Sequence, residues 1–171
     1  MCLTEIVKDY GPIIVIIIAA IAAGGAWASA ARTKKSVLSQ IVLQLTEAYS
    51  SDDMLKSIGN IKNWKITYGD GFATRYKDGL KGNGDGALKL NRDRMRCTHY
   101  FDRVWKLKAT KALQDNQVKK IVLVDQVDFY LTHIEPLEEA LNPNYDKSAF
   151  DGFRELYKTE LDKYHRRNIN E

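Results

Sequence analysis

The chain has 171 residues, with 26 Lys and Arg against 22 Asp and Glu, a net charge of +4 and only two cysteines. So small a basic excess does not select nucleic acid over an anionic membrane surface as a partner. Cys97 also lacks the Cys-x-x-Cys or Cys/His spacing of a zinc site.

From Tyr10 to Ala31 the chain runs 22 residues without a charge, centred on Ile13-Ile14-Val15-Ile16-Ile17-Ile18. About 20 such residues in a helix cover roughly 30 Å, the thickness of a bilayer's hydrocarbon core. The expectation is a short extracytoplasmic tail over residues 1–10, a transmembrane helix over 11–31 and a cytoplasmic helical domain over 32–171. Arg32, Lys34 and Lys35 follow the stretch, with no acid until Glu47. Lys and Arg beside a span stay on the cytoplasmic side, which puts the N-terminus outside and makes this a single-pass protein of the cell (inner) membrane. Cys2 and Cys97 would then lie on opposite sides and could not pair. A cleaved secretory signal is the alternative, because Ala26-Trp27-Ala28 and Ala28-Ser29-Ala30 fit a small-x-small cleavage pattern. Against it, the leading region has two acids and one lysine. Ala20, Gly24 and Ala28 recur every four residues, a face on which a second span could pack closely. An alanine-rich segment also produces that spacing by composition alone.

The 140 residues after the stretch carry +5 and suit one ordinary domain with its own core. Val37, Ile41 and Leu45 begin it as a helix, and Ser50-Ser51-Asp52-Asp53 stops that helix and caps a second one holding Met54, Leu55, Ile58 and Ile61. Six glycines between Tyr68 and Gly86, mixed with Asp70, Asp78, Asn83 and Asp85, predict a loop. A long helix is expected from Asn91 to about Leu113. The next is capped by Asp115 and carries Val118, Ile121, Val122, Val127, Tyr130, Leu131 and Ile134. Asp125 and Asp128, three apart among β-branched residues, favour helix over strand there. Pro136 opens a short segment that Asn142-Pro143-Asn144 ends. Phe150, Phe153, Tyr157, Leu161 and Tyr164 mark a last helix from Lys147 to Arg166. The domain reads as all-α, a bundle of about five helices with a Gly-rich loop.

Chemical motifs are few. The glycines at 79, 82, 84 and 86 lack the Gly-Lys followed by Ser or Thr of a phosphate loop, since Asp85 follows Gly84. Asn83, Asp85 and Gly86 match three positions of a calcium loop, but Lys81 and Arg92 stand where carboxylates are required. His99, His133 and His165 sit on different predicted helices. His99 with Asp102, and Asp125 with Asp128, share an i, i+3 spacing that could belong to a bundle-cored enzyme site or to local hydrogen bonds. No catalytic residue, metal or cofactor is assigned. Basic residues cluster on the long helix: Arg92, Arg94, Arg96, Arg103 and Lys106, with Lys89, Lys108 and Lys111 around them. With Tyr100 and Trp105 alongside, they could hold anionic lipid, an acidic protein partner or a nucleic-acid backbone, or form a solvated face paired with acids.

The order of features resembles a family of uncharacterised bacterial membrane-anchored helical proteins. The likeness rests on the N-terminal span and the basic helix from Arg32-Thr33-Lys34-Lys35 to Tyr49. It continues with Ser51-Asp52-Asp53-Met54-Leu55, the helix Arg94 to Leu113 with Tyr100-Phe101 at its centre, and Ile134-Glu135-Pro136. The Gly-rich stretch 69–86 departs from it. The resemblance implies architecture and topology and carries over no site. The expectation is a membrane-anchored interaction or accessory module with a protein partner or a second copy of itself. A membrane-tethered nucleic-acid binder and a His/Asp enzyme stand as alternatives.

Overall fold

A computed structural model describes residues 3–82 and 84–168. The described residues form eight α-helices and no strand: α1 (Leu3–Ser50), α2 (Asp52–Tyr68), α3 (Phe72–Lys81), α4 (Asp85–Ala109), α5 (Asp115–Ile121), α6 (Val124–Phe129), α7 (Glu135–Leu141) and α8 (Asp151–Asn168). The chain divides into two compact units, residues 1–41 and 42–171.

The first unit contains most of α1. No helix among the described residues is long and apolar enough to cross a membrane. The side chains of residues 3–24, 28 and 31 are outside the described set, so most of the expected span over 11–31 and the face of Ala20, Gly24 and Ala28 lie there, as does the tail from residue 3 to 10. Trp27, within the expected span, is described and exposed.

The second unit begins within α1. Of the apolar stripe Val37, Ile41 and Leu45, Leu45 is buried and Val37 is exposed. Ser51 ends the helix and starts the next: its Oγ donates to the Ala48 carbonyl at 2.9 Å and accepts from the Met54 N–H at 3.3 Å. The acids Asp52 and Asp53 occupy the first turn of α2, where the helix dipole favours them.

The expected loop over Tyr68–Gly86 is a correction. It contains one 3-10 turn, Gly69–Gly71, and a full helix, α3. Glycine disfavours helix when only local terms act, but Phe72 and Tyr76 are buried against the rest of the unit and outweigh that cost. Gly79 serves the packing: a Cβ there would lie 2.8 Å from the Cβ of Ala87 on α4. The missing side chain lets the two helices approach.

Helix α4 starts at Asp85, ahead of the expected Asn91. Ala87, Leu90, Arg94, Cys97, Phe101 and Val104 recur at three and four and face inward. The next expected helix breaks in two. Val122 is extended (φ −113°, ψ 122°), and its carbonyl accepts from the Tyr157 hydroxyl at 2.6 Å, a bond that needs α8. Gln114, not Asp115, caps α5, its N–H donating to Gln117 Oε1 at 2.8 Å. Helices α6 and α7 are joined by a π-helical turn, Tyr130–Ile134, rather than separated at Pro136. The second unit therefore holds more segments than the five expected.

The core is aromatic where α4, the π turn and α8 meet. Phe101 lies 4.9 Å from Tyr130 and 6.5 Å from Phe153, and Tyr130 lies 4.4 Å from Phe150, measured between ring centroids. Offset and edge-on contacts of this kind add to simple area burial.

Candidate functional site: the basic face of helix α4

Helical spacing sorts the cations of α4 onto different faces. Arg92, Arg96, His99, Arg103 and Lys106 follow at intervals of four, three, four and three, and all are exposed. Arg94 falls on the opposite side. It is buried against α7, where it pairs with Glu138, and its Nε donates to the Tyr76 hydroxyl at 3.0 Å. Thr98 also donates to Glu138, and Tyr76 in turn donates to Asn91 Oδ1 at 2.7 Å. Arg94 is therefore spent inside the fold, and the stripe available to a partner is Arg92, Arg96, Arg103 and Lys106 with His99 among them.

Two of these cations are already engaged. Arg96 Nη1 donates to Ser57 Oγ at 2.7 Å and to the Asp53 carbonyl at 3.1 Å, and it sits 3.8 Å from Asp93. Asp93 is buried and accepts from Ser57 at 2.9 Å and Asn60 at 2.8 Å, so this cluster fastens α2 to α4. Lys106 pairs with Asp102 at 2.6 Å one turn away. Arg92 and Arg103 make no ion pair among the described residues. Lys108, off the stripe, reaches Asp115 at 3.3 Å and covers the Trp105 ring at 5.0 Å.

Two shallow depressions flank the stripe. One, of about 270 Å³, lies beside the α1–α2 turn and is lined by Ser51, Asp53, Arg96, His99 and Arg103 among others. The second, of about 470 Å³, is lined by His99, Asp102, Arg103, Lys106, Leu107 and Thr110. His99 and Arg103 border both. A ridge of exposed donors between two grooves, running along the helix, suits an extended anionic chain.

The aromatic residues expected to accompany the cations belong to the core instead. Tyr100 is buried 5.1 Å from the Tyr49 ring, and Trp105 packs 5.3 Å from Phe153. Neither offers an open stacking platform.

The other expected groups are dispersed. Asp102 is committed to Lys106, and Asp128 binds His165 Nε2 at 2.7 Å across to α8. Asp125 is exposed on α6. Among the described residues no three His, Cys, Asp or Glu side chains stand together to hold a metal ion. Cys97 is buried beside Met54 at 3.7 Å, and burial pushes its thiol up to about 12, leaving it protonated and unreactive.

Sequence reasoning missed a second polar surface, Lys62, Lys65 and His133, because its parts lie far apart in the chain. The one local signal was Pro136, a residue without an N–H next to a helical run.

No family model matches this chain, and no similar protein was found among curated proteins or solved structures.

Proposed function

We propose that this chain is a single-pass membrane protein with its N-terminus outside and its helical unit in the cytoplasm. It acts as a non-catalytic interaction or accessory module, and the α4 stripe receives an acidic segment of a protein partner at the inner face of the membrane. The 22 uncharged residues from Tyr10 to Ala31, followed at once by Arg32, Lys34 and Lys35, support the span and its orientation. The order of features that resembles membrane-anchored helical proteins agrees with this reading.

The observation that carries the partner site is that Arg92 and Arg103 are exposed on one helix face without an ion pair among the described residues. Anionic head groups would meet the same cations, which makes lipid the competing source of that charge.

The test is recovery of partners from native membranes by the full chain and by an Arg92→Glu, Arg103→Glu variant, with liposome flotation beside it. An acidic protein held by the wild type and released by the variant supports the reading. A chain recovered alone, or one that binds anionic liposomes but no protein, overturns the partner assignment. Protease protection of a C-terminal tag in sealed inverted vesicles would overturn the topology.

A further inference from the structure

The helical run from Val124 to Leu141 is unusual at one place, the π turn Tyr130–Ile134 ahead of Pro136. Single π turns inside helices recur at functional sites. Facing this turn is the end of α2. Lys62, Lys65 and Ile66, then Gly69 and Asp70, line with His133 an open depression of about 450 Å³.

The two lysines are positioned rather than loose. Lys65 Nζ donates to the Thr132 carbonyl at 2.9 Å and lies 5.5 Å from the Phe72 ring. Lys62 Nζ lies 5.7 Å over the Phe129 ring. An ammonium carries three donors, so Lys65 retains two after serving Thr132. Neither lysine makes an ion pair among the described residues.

His133 is fixed from both sides. Its ring stacks on Phe129 at 5.0 Å, and its Nδ1 lies 2.8 Å from Thr132 Oγ1. The Thr132 hydroxyl gives its proton to the Asp128 carbonyl at 2.7 Å, so the Thr132 oxygen accepts and Nδ1 carries the ring proton. The Phe129 carbonyl also accepts from the ring, and with the ring proton on Nδ1 the lone pair of Nε2 stays open to a donor. Burial, then Lys65 and Lys62, push His133 down to about 4, which keeps the ring neutral at physiological pH.

The depression thus offers two cationic donors, one neutral acceptor, the carboxylate of Asp70, and an aliphatic wall in Ile66, which is 80% exposed. A simple anion engages the two lysines but makes no use of His133 Nε2 or Asp70. A metal ion or simple cation meets two ammonium groups. A zwitterion bearing both signs has a complementary partner in each of these groups. We propose that this depression binds a free aliphatic α-amino acid, its carboxylate on Lys62 and Lys65, its ammonium on His133 Nε2 and Asp70, and its side chain against Ile66. The site is separate from the α4 stripe and does not depend on the partner assigned there.

The test uses the full chain in detergent micelles with ¹⁵N-labelled histidine, following His133 Nε2 by long-range ¹H–¹⁵N correlation. The probes are the individual L-amino acids, with acetate and methylammonium as single-charge controls. The expected result is a saturable Nε2 shift with an aliphatic amino acid and not with either control. Lys62→Gln, a change at an exposed position, is expected to weaken binding about tenfold. No saturable shift with any amino acid overturns the proposal. So does a shift that acetate reproduces, or one that Lys62→Gln leaves unchanged.

Discussion

Arg94 on α4 and Glu138 on α7 form an ion pair inside the helical unit, with side chains 10% and 14% exposed. The Arg94 guanidinium has Tyr76 and Asn91 around it, and Glu138 also accepts from Thr98. A buried charge that loses its partner keeps its desolvation cost. Glu138→Leu is therefore expected to destabilise the fold by about 3–5 kcal/mol, whereas the double change Arg94→Met, Glu138→Leu costs much less. Urea unfolding of the three proteins measures this. Equal losses in the single and double variants would show that the pair contributes only through shape.

Gly152 sits where α8 meets Trp105 on α4. A Cβ built there falls 1.9 Å from the indole Cη2, with Cζ3 at 2.6 Å and Cζ2 at 2.8 Å. Gly152→Ala is expected to force the indole off its rotamer and to cost about 1–3 kcal/mol, although alanine is the better helix former. Adding Trp105→Leu should recover part of that loss. Thermal melts in which Gly152→Ala is neutral would refute the close contact.

Lys65 and Pro136 are predicted to be coupled. Pro136 has no N–H for the Thr132 carbonyl four residues back, and Lys65 donates to that carbonyl at 2.9 Å. Lys65→Met keeps the stem and removes the donor, with an expected loss of about 1–3 kcal/mol. In a Pro136→Ala background the loss should shrink, because a backbone donor becomes available. A double-mutant cycle with no coupling energy contradicts this account.

The pH dependence follows from His133. Its folded value is pushed down from 6.5 to about 4, mainly by burial and then by Lys65 and Lys62, while Asp128 and the Phe129 carbonyl oppose the shift. Between those two values the unfolded chain takes up a proton that the folded chain does not. Stability from this residue is therefore complete above pH 6.5 and falls as the pH drops toward 4. The melting temperature of the wild type should decline more steeply over that interval than that of His133→Gln. Parallel declines would place the acid sensitivity elsewhere.

The sequence by itself determined the helical class, the cap at Ser51 and the inward face of α8, where Phe153, Tyr157 and Leu161 are all buried, with Phe150 buried in the 3-10 turn just before it. It also showed the uncharged stretch and the basic helix. These are local properties, written in helical periodicity and in residues that bond to near neighbours. What only the tertiary structure decided depended on distant partners. Arg94 is indistinguishable from Arg92 and Arg96 by type, and it points inward because Glu138, 44 residues away, waits there. The Gly-rich stretch became α3 because burial of Phe72 and Tyr76 exceeds a local helix penalty, and Val122 left the helix because Tyr157 takes its carbonyl. Long-range burial and hydrogen bonding are each worth as much as several residues of propensity, so they settle the positions at which local preference is weak.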